Sequence, residues 1–249
     1  MRIDEDSPIF NEHTRCHSMK KIVDWMRRHW KWLLPLVVVL GVLFYFRYDV
    51  AEWTRKALGI VLPENPRPLG VTSLEWCEQN YGEQIQEIST EMDLPYSYLM
   101  ALAVLECSGE KPAGQRFERH VFNELMKVKA GKRKKYELAT REKLEPMGEE
   151  EIRALATSWG PFQLMGYKVF ELDLSIEDLS NDDDACYHGA RWIKKQYGRF
   201  LDKNKWKDAF HIHNTGKRFP LTGHSRTHDP YYVSDGLRYM KYFSGKRSN

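Results

Sequence analysis

The chain alternates between two kinds of segment, and the first long one is uniformly apolar. Residues 32–46 read WLLPLVVVLGVLFYF, fifteen positions without a charge. No polar face interrupts them, so they do not read as a surface helix of a soluble domain. Counting the flanking aromatics, Trp30 to Tyr48 spans 19 residues, enough to cross a bilayer core at the rise of an α-helix. Lys31 and Arg47 are placed to snorkel, and Trp30, Trp32, Tyr45 and Tyr48 suit the interfaces. Phe46-Arg47-Tyr48-Asp49 offers no small residues for a signal-peptide cut, and no lipid-accepting Cys follows the run. The expectation is an uncleaved anchor.

Downstream the pattern changes. Residues 50–62 have apolar positions at helical spacing, and residues 63–70, PENPRPLG, form a stiff Pro-rich linker. From Val71 onward, helical periodicity recurs over Leu74–Met92, Tyr96–Cys107, Phe122–Ala130, Glu149–Ala156, Asp183–Tyr197, Trp206–His213 and Tyr231–Phe243. Pro95 suits the first turn of the second of these, and Gly109 suits its end. Asp182 or Asp183 lies near the N-cap of the fifth. Residues 111–120 read as extended or irregular, strands are few, and a small hairpin is allowed for. The predicted organisation is a cytoplasmic segment over 1–29, an anchor over 30–48, a juxtamembrane helix and linker over 49–70, and a mainly α domain over 71–249.

Charge refines this. Residues 1–70 hold 11 Lys+Arg against 8 Asp+Glu and carry the whole net charge of +3. Lys20, Lys21, Arg27, Arg28 and Lys31 crowd the N-terminal side of the apolar run, which points to a cytoplasmic N-terminus and an external, or periplasmic, domain. The domain itself is balanced, which argues against nucleic acid as a partner. The run Lys127, Lys129, Lys132, Arg133, Lys134, Lys135 reads first as a solvated loop, with attraction to anionic wall polymer or lipid headgroups as the sharper alternative. Of the four cysteines, Cys77, Cys107 and Cys186 lie in the domain, and their pairing is open. With no Cys-x-x-Cys and no His-Glu-x-x-His among His188, His211, His213, His224 and His228, no metal or other cofactor is expected.

The candidate chemistry begins with Glu106. It ends the apolar stretch Ala101-Leu102-Ala103-Val104-Leu105, where a carboxyl is poorly hydrated. A carboxylic acid that keeps its proton near neutral pH can protonate a glycosidic oxygen. Equally, this position allows a carboxylate that caps a turn or reaches solvent past Gly109. Three blocks follow in order: Ser158-Trp159-Gly160-Pro161-Phe162-Gln163-Leu164-Met165-Gly166, His213-Asn214-Thr215-Gly216, and Tyr231-Tyr232-Val233.

Taken together with Glu106, these blocks resemble the lysozyme-like superfamily, in particular the soluble lytic transglycosylases and goose-type lysozymes, over about Leu74 to Phe243. Gln115-Arg116-Phe117-Glu118-Arg119-His120-Val121-Phe122 also resembles a block of the phage-type N-acetylmuramidases. Three residues depart from the pattern: Cys107 stands where Ser is usual, Pro161 where Leu is common, and His213 where Tyr precedes Asn.

The resemblance implies a lysozyme-like domain acting on peptidoglycan. In it Glu106 would be general acid and then base, Gln163 would bond sugar groups, and Asn214 would hold the sugar at the cleavage point. Tyr232, or its neighbour Tyr231, would aim its hydroxyl at Glu106 or the reacting sugar. Glu118 is the candidate second carboxylate of a hydrolytic mechanism, with an ion pair to Arg116, Arg119 or His120 as the structural alternative. Gln163 could equally satisfy a buried backbone group, Asn214 form part of a turn, and the two tyrosines pack in the core. The implied activity is a lytic transglycosylase, with a hydrolytic muramidase or a non-catalytic wall-binding or assembly protein as alternatives. The implied settings are envelope remodelling, a secretion or conjugation machine, or a virion membrane.

Overall fold

The computed structural model describes residues 66–246. The expected anchor at 30–48 lies outside the described residues, as does most of the segment 49–70. Among the described residues no helix is long and apolar enough to cross a membrane.

The domain is mainly helical. Helix α1 (Ser73–Glu91) starts on a capping box: the Thr72 hydroxyl accepts from the Glu75 amide at 3.3 Å, and the Glu75 carboxylate accepts from the Thr72 amide at 2.9 Å. Helix α2 (Tyr96–Cys107) follows Pro95, which sits at its N-cap, and is apolar all round. Seven consecutive residues, Tyr98 to Val104, are buried, so α2 is the central rod of the larger core. It packs chiefly on α1 and on the last helix, α9 (Tyr232–Lys246). Each fully buried leucine of α2, such as Leu99 or Leu102, contributes about 1.5–3 kcal/mol of burial. Helices α7 (Asp182–Leu201) and α8 (Trp206–Thr215) complete this core.

The smaller core gathers around α3 (Arg119–Lys129), α4 (Arg141–Leu144), α5 (Glu149–Leu155) and α6 (Val169–Leu172). Val121, Leu125, Leu144, Ile152, Leu155 and Val169 bury their apolar faces there. An antiparallel sheet of order β1-β4-β5 borders it, built from Arg116–Phe117, Thr157–Trp159 and Leu164–Met165. Arg116 faces Ser158, and Ser158 in turn faces Met165. A separate two-stranded hairpin, β2–β3, pairs Lys135–Tyr136 with Ala139–Thr140. Trp192 of α7 packs against both cores.

Several boundaries differ from expectation, those of α3 and α7 among them. Helix α3 begins three residues early, at Arg119 rather than Phe122, because Glu118 leaves the sheet and the polar pair Arg119-His120 already turns as helix. Helix α7 starts one residue early, at Asp182, and is capped by Asn181, whose side-chain oxygen accepts from the Asp184 amide at 2.8 Å; Asp182 and Asp183 lie next to that cap, as expected. The helix also runs past Tyr197, where φ of −142° kinks it beside Gly198. The basic run divides: Lys127 and Arg133 bind Glu124, whereas Lys132, Lys134 and Lys135 are exposed.

Candidate active site

Glu106 occupies the penultimate position of α2. The chain leaves that helix through two left-handed residues, Ser108 at φ 56° and Gly109 at φ 74°. Gly109 is required twice over, since a Cβ there would also lie 2.5 Å from the Cys77 amide nitrogen. The following loop is clamped by α1 and α7. Asn80 donates to the Gly109 carbonyl at 2.8 Å, Trp76 donates to the Glu110 carboxylate at 3.3 Å, and Asp182 accepts from the Ala113 amide at 2.8 Å. The Tyr81 hydroxyl reaches Asp182 at 2.5 Å and the Glu110 carbonyl at 2.8 Å. A rigid exit thus holds the acid's backbone in place.

The carboxyl itself meets neutral groups. The Tyr232 hydroxyl, from the first residue of α9, donates to Glu106 Oε1. Tyr232 is buried, and burial followed by the Glu106 charge pushes its phenol well above the ordinary value, so it stays a donor. His213 Nε2 lies 3.7 Å from the same oxygen and 3.1 Å from the Phe162 carbonyl. On its other side His213 Nδ1 lies 2.7 Å from the Tyr197 hydroxyl, which accepts from Tyr98 at 3.2 Å. Burial holds the His213 imidazole below its usual pKa, against the opposing pull of Glu106. Glu106 pairs with no Lys or Arg of the described residues, Oε2 accepts no hydrogen bond from them, and the side chain keeps 18% exposure.

The other expected residues separate. Tyr231, beside Tyr232 in sequence, is 68% exposed and does not share its contact with Glu106. Asn214 is exposed in the last turn of α8, one residue after His213, and Gly216 ends that helix at φ 71°. The expected turn is therefore a helix terminus. Gln163 sits at φ 48° in the β4–β5 turn, and its carboxamide is engaged within the protein. It donates to the Gly114 carbonyl at 2.7 Å and accepts from the Ser158 hydroxyl at 2.5 Å, tying the turn to the loop before β1. Its neighbour Phe162, not Gln163, touches the histidine beside the acid.

Glu118 pairs with Arg116 at 2.8 Å and lies 3.5 Å from His120 Nδ1. Arg116 is 75% exposed, so this is a surface ion pair. Cys107 donates its thiol to the Ala103 carbonyl at 3.1 Å within α2, and burial pushes that thiol up to about 12. Cys77, Cys107 and Cys186 are free thiols. Among the described residues no group of three or more His, Cys, Asp or Glu side chains is placed to hold a metal ion.

Sequence reasoning missed Tyr98 and Tyr197. Both read as core aromatics, and no motif marks them. His213 carried a signal, because it breaks the expected block at a position that turns out to face Glu106.

No protein-family model and no curated protein matches the chain. Among solved structures it is similar to one described as the crystal structure of Burkholderia AP3 phage endolysin. Identity is 16% and the TM-score 0.47, over 69% of this chain and 77% of that one.

Proposed function

We propose that this chain cleaves the glycan strands of peptidoglycan between N-acetylmuramic acid and N-acetylglucosamine, as a lytic transglycosylase with Glu106 as its acid and base. One observation carries the reading. Glu106 ends a buried apolar helix, shares Oε1 with a tyrosine hydroxyl, and has no Lys or Arg partner among the described residues. A structural carboxylate is ordinarily paired, as Glu118 is. The order of the four sequence blocks supports the same reading.

In this mechanism protonated Glu106 gives its proton to the bridging oxygen as the bond to the muramic C1 breaks. The resulting carboxylate takes the proton from the sugar's own 6-hydroxyl, whose oxygen closes on C1 to form a 1,6-anhydro ring. Glu106 ends protonated, ready for the next turnover, and no water is consumed. Tyr232 steadies the carboxyl through both transfers. Asn214, exposed beside His213, is the residue we assign to the sugar's N-acetyl group. The apolar segment before the linker would tether the domain at a membrane facing the wall.

The competing hydrolytic reading needs a group to activate water, and the engagement of Glu118 with Arg116 favours the single-acid route. Digestion of purified peptidoglycan in 18O-labelled water separates the outcomes by mass spectrometry. Anhydro ends without label are expected. Labelled reducing ends would establish a hydrolase, and intact strands a binding protein.

A further inference from the structure

We infer that His213 is a positioning residue for Glu106, a neutral imidazole locked in one tautomer that holds the Oε1 side of the carboxyl and leaves Oε2 to carry the acidic proton. This rests on the reading of Glu106 as the acid.

The hydrogen bonds admit one arrangement for a neutral ring. The Phe162 carbonyl can only accept, so His213 Nε2, 3.1 Å away, carries the hydrogen. A neutral imidazole has one N–H, so Nδ1 must accept, and Tyr197 donates to it at 2.7 Å. That uses the single proton of Tyr197, so its oxygen accepts from Tyr98 at 3.2 Å. The string runs in one direction, Tyr98 to Tyr197 to His213 to Phe162, and Tyr98 and Tyr197 are both fully buried. The Nε2 atom at its end, donating to Phe162, lies 3.7 Å from Glu106 Oε1, a contact rather than a hydrogen bond. Oε1 accepts from Tyr232, whereas Oε2 accepts no hydrogen bond from the described residues. The proton of the acid form therefore belongs on Oε2.

The groups around the ring come from every neighbouring element. Helix α2 presents Tyr98 and Glu106, α7 presents Tyr197 and the edge of Trp192 at 6.1 Å between ring centres, α9 presents Tyr232, and the β4–β5 turn presents the Phe162 carbonyl. Glu106 is the one acid of this set. Charging the ring would place a proton on Nδ1, facing Tyr197, and would require the buried Tyr197 hydroxyl to turn its own proton away from the ring. Burial disfavours the charged ring as well. The neutral state matters for the chemistry. An imidazolium beside Oε1 would hold Glu106 ionised and withdraw it as an acid. A neutral N–H leaves the acid form intact, yet its dipole still favours the carboxylate that forms after proton transfer.

Histidine-selective 15N NMR of the full chain at pH 7, with His213→Gln as the assignment control, reads the tautomer directly. The expected ring is neutral with its hydrogen on Nε2. A proton on Nδ1, or on both nitrogens, overturns the proposal. The rate of strand cleavage gives the second test. His213→Phe keeps bulk but loses both bonds, and the rate should fall on the order of tenfold or more through a displaced carboxyl. His213→Gln restores a donor and an acceptor without a titrating group. It should recover most of that loss and move the acid limb of the rate–pH profile to lower pH. A His213→Phe rate equal to wild type, or an unmoved acid limb in His213→Gln, overturns the proposal. Glu106→Gln separates the two levels: if it stays active, the reading of Glu106 falls. If it is inactive while the His213 variants match wild type, the His213 proposal falls alone.

Discussion

Glu106 and Glu118 are twelve residues apart in sequence and sit at opposite kinds of helix end, yet their surroundings differ in kind. Glu106 ends α2 and faces a buried tyrosine and a buried neutral imidazole. Glu118 precedes α3 and lies against an exposed guanidinium. An ion pair to a solvated Arg contributes little to stability. A carboxyl among uncharged donors can exist in both protonation states without a partner charge being stranded. The lesson is that two carboxyls close in sequence can be given opposite kinds of partner by the fold. What a carboxyl can do follows from whether its partners carry charge.

The comparison can be broken most sharply at Glu106. Glu106→Gln keeps the shape and should lower strand cleavage by at least about two orders of magnitude, the scale of general acid catalysis, while thermal unfolding stays close to wild type. Gly109→Ala attacks the same site through the backbone. A methyl 2.5 Å from the Cys77 nitrogen, at positive φ, should cost more than about 2 kcal/mol in denaturant unfolding and disturb the exit from α2. Tyr232→Phe removes one donor to the carboxyl, and cleavage should fall on the order of tenfold with little change in substrate binding.

A smaller effect concerns pH. His213 is depressed in the folded state relative to its ordinary value of 6.5. Between the two values the unfolded chain binds more protons, so stability rises with pH there. The contribution is complete above pH 6.5 and is lost as pH falls toward the depressed folded value. Melting curves at pH 7.5 and 5.5 should show a smaller acid loss in His213→Gln than in wild type. The smallest effect belongs to Glu118→Gln, which should cost about 0–1 kcal/mol in thermal melts and leave most of the cleavage activity.

Much of the helical frame was legible because its punctuation is local. Helix α2 matches expectation at both ends, since an all-apolar run lies between Pro95 and the Ser108-Gly109 exit. The three-stranded sheet was not legible, because strands of two or three residues carry no alternation to read. The kink at Tyr197 was hidden for a related reason: the apolar spacing continues through it while the backbone does not. At the site, Glu106 and Tyr232 emerged from ordered motifs, and the structure brings them together. Between the two neighbouring tyrosines the choice depended on helix phase, since α9 turns Tyr232 inward and leaves Tyr231 outside. Tyr98 and Tyr197 escaped notice because a core tyrosine gives no sign of which distant group its hydroxyl will meet, here one 99 residues away and another 16. Gln163 adds a point that its motif did not announce: its carboxamide ties the β4–β5 turn to the loop before β1.

The most direct test compares wild type, Glu106→Gln and Glu118→Gln on the same purified peptidoglycan, with released muropeptides followed over time by mass spectrometry. The account predicts that wild type and Glu118→Gln release 1,6-anhydro-ended fragments at similar rates, while Glu106→Gln releases almost none. Sustained release by Glu106→Gln, or its loss in a folded Glu118→Gln, would contradict it.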